Sequence, residues 1–312
     1  MGDTGKNLAF LFAGQGSQYA GMGKDLYEGF PEAKVLFDKA QGILGFDLKK
    51  ACFEGPEEKL RVTSISQPAI VTLSIAAFEA FKARNDIKPV FMAGLSLGEY
   101  SALIASGSIS FEDGIRLIKI RGELMEEASR KYPGKMAAVL DLPVDTVKEI
   151  CLSSGAEIAN LNSPGQIVIT GKSDAVEKAE QLCVQAKAKR VVPLEVSGAF
   201  HSSLMSEASL GLKEALDKVE VKDAVIPVVS NYTAGLQIEA AAIKENLIHQ
   251  MHSSVKWEDS MKFILSKGVS HFIEFGPGKV LKGLMRRINP DAKVLNIEKS
   301  SDISNYILQE EK

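Results

Sequence analysis

The sequence predicts an α/β protein: a large domain on a mainly parallel sheet, with a small ferredoxin-like α+β subdomain inserted into it. Three observations predict this. Strand-like apolar runs alternate with helical periods over the first 130 residues, the pattern of a parallel sheet covered on both faces. The order changes to β-α-β-β-α-β over residues 131–196, which is the ferredoxin-like unit. Finally, Gly94-Leu95-Ser96-Leu97-Gly98 lies between an apolar run, Pro89-Val90-Phe91-Met92-Ala93, and the helix former Glu99-Tyr100-Ser101-Ala102-Leu103-Ile104-Ala105. A strand, a sharp turn and a helix in that order present a serine at the carboxyl end of a strand. The large domain is therefore assigned to residues 1–130 and 197–312, and the small one to residues 131–196.

Taken in order, Leu8-Ala9-Phe10-Leu11-Phe12 reads as a buried strand ending in the loop Ala13-Gly14-Gln15-Gly16-Ser17-Gln18. Helical periodicity covers 32–42 and 67–84, and a further helix spans 111–130. A break falls at Lys131-Tyr132-Pro133-Gly134. Beyond it come a strand at 136–140, a helix at 144–153 and a strand pair at 157–162 and 166–170 around Ser163-Pro164-Gly165. A helix at 174–187 and a strand at 190–196 complete the unit. Strands at 224–230 and 271–275 return to the large domain.

Composition narrows the class. The chain has 312 residues, 45% hydrophobic and 25% charged, with net charge -3; these are ordinary values for a soluble globular protein and give no basic footprint for nucleic acid. Residues 1–6 show no signal-peptide core, and Lys6 spoils a myristoylation pattern. The longest apolar stretches, such as 69–78, read as too short and interrupted to span a bilayer. Cys52, Cys151 and Cys183 are odd in number and far apart, as in reduced thiols rather than a disulfide framework. A cytoplasmic enzyme without membrane contact is the expectation.

A serine nucleophile needs a base, and the chain has four histidines. His271 lies in the apolar run Val269-Ser270-His271-Phe272-Ile273 and reads as a strand residue. His249 and His252 are spaced i, i+3, and read as solvated or capping residues rather than a metal pair, so no metal site is expected. His201 follows Ser197-Gly198-Ala199-Phe200, where a strand gives way to a helix, and a nearby helix N-terminus would keep its ring neutral. Its bland alternative is an exposed capping histidine. Arg121, taken alone, reads as a surface helix residue pairing with Glu123, Glu126 or Glu127. No acidic motif lies between Ser96 and His201 in hydrolase order, so a dyad with a differently oriented histidine is expected. There is no P-loop and no Gly-x-Gly-x-x-Gly, so no phosphate-cradling cofactor site is indicated.

Six segments stand in register with one family. Gly14-Gln15-Gly16-Ser17-Gln18, Gly94-Leu95-Ser96-Leu97-Gly98-Glu99-Tyr100, Arg121-Gly122, Asn162-Ser163-Pro164-Gly165, Gly198-Ala199-Phe200-His201 with Gln250, and Gly276-Pro277-Gly278-Lys279 make the chain resemble malonyl-CoA:acyl carrier protein transacylases. The resemblance implies a hydrolase-like α/β domain with a ferredoxin-like insertion. It implies that Ser96 carries the malonyl group as an ester, that His201 is the base, and that the Gln15 and Leu97 amides form the oxyanion hole. It further implies that Arg121 grips the malonyl carboxylate, Gln250 orients His201, and Asn162 orders the site. Phe200 resembles the residue of malonyl-selective relatives. The family commonly has histidine where this chain has Leu95, which cannot donate a hydrogen bond to the acyl group. The substrates implied are malonyl-CoA and a phosphopantetheinylated acyl carrier protein, with no metal, no cofactor and a monomeric enzyme. Lys187, Lys189 and Arg190, or Arg286 and Arg287, are candidate docks for the carrier's acidic helix. A polyketide-pathway acyltransferase and a serine thioesterase are the alternatives.

Overall fold

The computed structural model describes residues 7–310; residues 1–6, with the targeting inference drawn from them, lie outside that range. Ten strands are found among the described residues: β1 (Leu8–Phe12), β2 (Phe91–Gly94), β3 (Gly134–Leu140), β4 (Glu157–Ser163), β5 (Gln166–Lys172), β6 (Arg190–Pro193), β7 (Val228–Val229), β8 (Leu236–Gln237), β9 (His271–Phe275) and β10 (Lys293–Ile297). They make two sheets. The larger runs β10-β9-β1-β2-β7-β8, and only its edge strand β8 is antiparallel to its neighbour. The smaller runs β4-β5-β3-β6 and is antiparallel throughout.

The central strands owe their place to composition. All five residues of β1 are buried, as expected of a strand covered on both faces. Phe10, Phe12, Phe78, Phe81 and Phe275 meet there edge-on or stacked, with ring centroids 5.0–6.3 Å apart, a geometry that adds to plain area burial. The helix Thr63–Lys82 packs against this cluster. It is long and apolar enough, by length and composition, to cross a membrane, contrary to the reading of 69–78 as too short. However, 83% of its apolar window is buried within the fold, so its hydrophobicity is accounted for by the core.

In the smaller sheet, the helices Val144–Ser154 and Ser173–Gln185 follow β3 and β5. They close a separate cluster of buried side chains that includes Val139, Val147, Ile169, Val176 and Cys183. Two expected strands are shorter than the sequence implied. The strand at 190–196 stops at Pro193, although Leu194 still donates to the Met136 carbonyl (2.9 Å). The strand at 224–230 shrinks to Val228–Val229: Val225 is outward-facing, and Pro227 has no amide to give a ladder. All three cysteines are free and buried, and burial pushes their thiols up to about 12, 12 and 11 for Cys52, Cys151 and Cys183, which makes them poor nucleophiles.

Candidate active site

β1 and β2 are parallel neighbours, with Phe12 opposite Gly94, so the loops after them emerge side by side at one edge of the sheet. Ser96 sits on the second loop and caps the elbow helix Leu97–Ala105. The strain at this turn lies on the serine itself, at φ 50 and ψ -100, a conformation that costs roughly 1–3 kcal/mol and persists only when its surroundings fix it. The flanking glycine serves another purpose. A Cβ on Gly98 would lie 2.1 Å from the Phe12 carbonyl oxygen, so its missing side chain lets the helix start lie directly on β1. Gly14 is constrained likewise, its Cβ position being 2.5 Å from the Leu95 carbonyl oxygen, which presses the Gln15 loop onto the elbow.

Ser96 and His201 meet. The Ser96 Oγ lies 2.7 Å from His201 Nε2, and His201 Nδ1 lies 2.8 Å from the Gln250 backbone carbonyl oxygen. A carbonyl only accepts, so Nδ1 carries the hydrogen and Nε2 is left to accept the serine proton. His201 is 5% exposed, which corrects the exposed capping alternative. Burial first, then the Arg121 charge, pulls its pKa down to about 4, against the hydrogen bond to Gln250. The ring is neutral as expected, and desolvation and the neighbouring cation favour that form. Gln250, the residue expected to orient the histidine, meets it through its backbone carbonyl.

Arg121 lies on the helix Phe111–Lys131 and is 1% exposed. It does not pair with Glu123, Glu126 or Glu127; Glu126 instead accepts from the Ser64 amide. Its Nη2 approaches Ser96 Oγ at 3.3 Å and Gln250 Oε1 at 3.4 Å, its guanidinium lies 5.2 Å from the Tyr100 ring centroid, and its Nε has no partner. Among the described residues it forms no salt bridge. Burial works against its charge, but a guanidinium stays protonated. It is a buried cation beside a hydroxyl.

The oxyanion candidates are backbone amides, and the elbow offers two. The Ser96 amide is already taken by Asn231 Oδ1 at 2.6 Å, so Leu97 supplies the next one. As first residue of its helix, Leu97 has no intrahelical acceptor for its N–H. A cavity of about 330 Å³ lies over the site, lined by Gln15, Leu95, Ser96, Asn162, Phe200 and His201 among others. Asn162 is buried with its Oδ1 unpartnered, while neither Arg121 nor the Gln250 side chain is among the residues lining this cavity. A larger cavity of about 890 Å³ opens beside the loop leading into β2, and none of these candidate side chains reaches it.

Sequence reasoning missed three buried polar groups behind the dyad: Glu99, Asn231 and Gln237. The available signal was Glu99 itself, the one charged residue in Leu97–Ala105. Burial pushes its carboxyl up to about 7, opposed by hydrogen bonds from Gln250, Asn231 and Gln237 and by Arg121. The other histidines stay outside the site. His271 is an exposed residue of β9, 3.0 Å from Ser270 Oγ. His249 stacks on Tyr232 (4.8 Å) and lies 5.6 Å from His252, and the described residues contain no cluster able to hold a metal ion.

Comparisons with known proteins agree on one family. Residues 9–298 match the model of the acyl transferase domain. The chain is 48% identical over 295 residues to the malonyl CoA-acyl carrier protein transacylase of Bacillus subtilis (strain 168), covering 93% of each. Its fold superposes with a TM-score of 0.93 on the malonyl CoA-acyl carrier protein transacylase of Clostridium perfringens, at 39% identity and 98% and 97% coverage. With a TM-score of 0.94, 36% identity and 97% and 99% coverage it also matches a malonyl-transacylase solved in complex with its type II PKS acyl-carrier protein. The chain belongs to the malonyl-CoA:acyl carrier protein transacylase family.

Proposed function

We propose that this enzyme moves the malonyl group from malonyl-CoA to the phosphopantetheine thiol of an acyl carrier protein, in fatty acid biosynthesis, through a malonyl ester on Ser96. Ser96 Oγ attacks the thioester carbonyl while His201 Nε2 takes its proton. Negative charge gathers on the carbonyl oxygen, where the Gln15 and Leu97 amides receive it. The carbon–sulfur bond breaks, the imidazolium returns the proton to the departing CoA thiolate, and CoA leaves. The carrier thiol then gives its proton to His201, attacks the ester, and the same proton returns to Ser96.

The observation that carries this reading is Arg121, a fully buried cation with no salt bridge among the described residues, 3.3 Å from the Ser96 hydroxyl. A buried charge without a direct ion pair costs several kcal/mol; the Glu99 carboxylate favours it electrostatically without a direct contact, and an acyl group ending in a carboxylate supplies a direct partner. The planar guanidinium suits a carboxylate's two oxygens. Leu95 and Phe200 line the cavity with apolar surface, and Asn162 offers it an amide. The reaction as written uses no metal or cofactor, and a cytoplasmic monomer organised as the two domains proposed from sequence accommodates it. Both candidate basic docks converge on one carboxylate, Asp141, which is 3.3 Å from Lys189 and 3.9 Å from Arg287.

A thioesterase would need a carboxylate on His201 Nδ1, where a backbone carbonyl stands. The test is a partition: with malonyl-CoA and a holo acyl carrier protein, malonyl-carrier is expected to form faster than free malonate. Malonate appearing first would replace this reading with hydrolysis.

A further inference from the structure

Glu99 lies on the third residue of the elbow helix and is wholly buried. Three donors converge on its carboxylate. Gln250 Nε2 reaches Oε2 at 2.6 Å, the Asn231 amide reaches Oε2 at 3.1 Å, and Gln237 Nε2 reaches Oε1 at 2.5 Å. Two of the three neighbours, Gln250 and Asn231, continue to the reacting pair or to the turn that carries it. Gln250 donates through the same Nε2 to the Ser96 carbonyl (3.0 Å) and, through its own carbonyl, receives His201 Nδ1–H. Asn231 accepts the Ser96 amide and donates to the Gly94 carbonyl at 2.8 Å. Gln237 is fixed in turn by Asn246 Nδ2 at 3.0 Å.

We infer that Glu99 is a positioning residue of the transfer reaction: its buried carboxylate ties the serine turn and the histidine's acceptor into one unit, setting the 2.7 Å contact between Ser96 and His201. In hydrolytic triads an acid touches the histidine directly. In this chain the acid stands one residue further back and acts through Gln250 on the base and through Asn231 on the nucleophile's backbone. Only an acceptor can fill the position, because all three partners donate. A neutral amide there would set one donor against another unless a partner were reversed with it. The inference rests on the transfer reading of the Ser96–His201 site.

The test compares Glu99→Ala, Glu99→Gln and the double exchange Glu99→Gln with Gln237→Glu. In the double exchange the new amide at position 99 donates to the new carboxylate at 237, keeps an oxygen for Gln250 and Asn231, and leaves an oxygen for Asn246. Every hydrogen bond is retained with one pair reversed. The rate of Ser96 acylation by malonyl-CoA is measured at about pH 8, alongside the near-ultraviolet spectrum of each variant. Glu99→Ala is expected to lower kcat by roughly ten- to a hundredfold with KM changed less than about threefold, as for a misplaced reacting pair. The double exchange is expected to recover kcat to within about threefold of the parent, well above Glu99→Gln alone. A folded Glu99→Ala with parental kcat overturns the inference, as does a folded double exchange no faster than Glu99→Gln. Should Glu99→Ala not fold, the second comparison decides. A parent chain that is not acylated on Ser96 faults the transfer reading itself.

Discussion

Arg121 shows how far one side chain's environment decides its role. On sequence it is one of many charged helix residues with acidic neighbours, and only its burial separates it from them. If its task is to hold a carboxylate, Arg121→Ala should weaken kcat/KM for malonyl-CoA by about 3 kcal/mol, roughly two orders of magnitude, and for acetyl-CoA far less. Steady-state rates with the two thioesters check this, and equal losses would take Arg121 out of the carboxylate site. His201 makes a second prediction at this scale. Its folded pKa of about 4 lies below its ordinary 6.5, so on acidification the unfolded chain takes up this proton first. Stability from this residue is therefore complete above pH 6.5 and withdrawn as the pH falls toward 4, by up to about 3 kcal/mol. Ring nitrogen shifts should report a neutral Nδ1–H imidazole at about pH 5.5, and a ring titrating near its ordinary value would contradict the assignment.

At the scale of elements, the serine turn depends on backbones that touch. Gly98→Ala forces a Cβ to 2.1 Å from a β1 carbonyl, so β1 and the elbow helix must separate. Acylation is expected to be lost, with a fall in stability of several kcal/mol, as overpacking of backbone against backbone requires. Gly42, inside the helix Pro31–Leu44 with open space around its Cβ position, is the control. There, alanine should raise stability by about 0.5–1 kcal/mol. Chemical denaturation of both variants reads the contrast, and a tolerated Gly98→Ala would show that the close approach is not required. The same elements show what the sequence made legible. β1, the elbow helix, the helix Phe111–Lys131 and the small sheet carry strong periodicity or marked turns. The strand β10 and the helices Ala240–His252 and Trp257–Ser266 did not declare themselves, since their apolar residues acquire meaning only against partners distant in the chain. Gln250 illustrates the cost: a backbone carbonyl carries no side-chain signature, so only the fold shows it as the histidine's acceptor.

Across the whole molecule, chemistry depends on bringing together residues that the chain scatters. Ser96, Arg121, His201 and Gln250 come from four separate segments, and the parallel sheet supplies the common edge on which two of the loops converge. The Gly-flanked turn singled out the hydroxyl, while the family resemblance singled out the imidazole. Sequence left the supporting network of Glu99, Asn231 and Gln237 unread, because a buried carboxylate and two amides have no local pattern and are defined only by what they face. Acylation of the nucleophile by its donor tests the central claim most directly. After incubation of the intact chain with malonyl-CoA and no carrier protein, peptide mass spectrometry is expected to find one malonyl unit, on the peptide containing Ser96, that disappears in Ser96→Ala. A malonyl unit on any other residue, or an unmodified Ser96 peptide, would contradict the account.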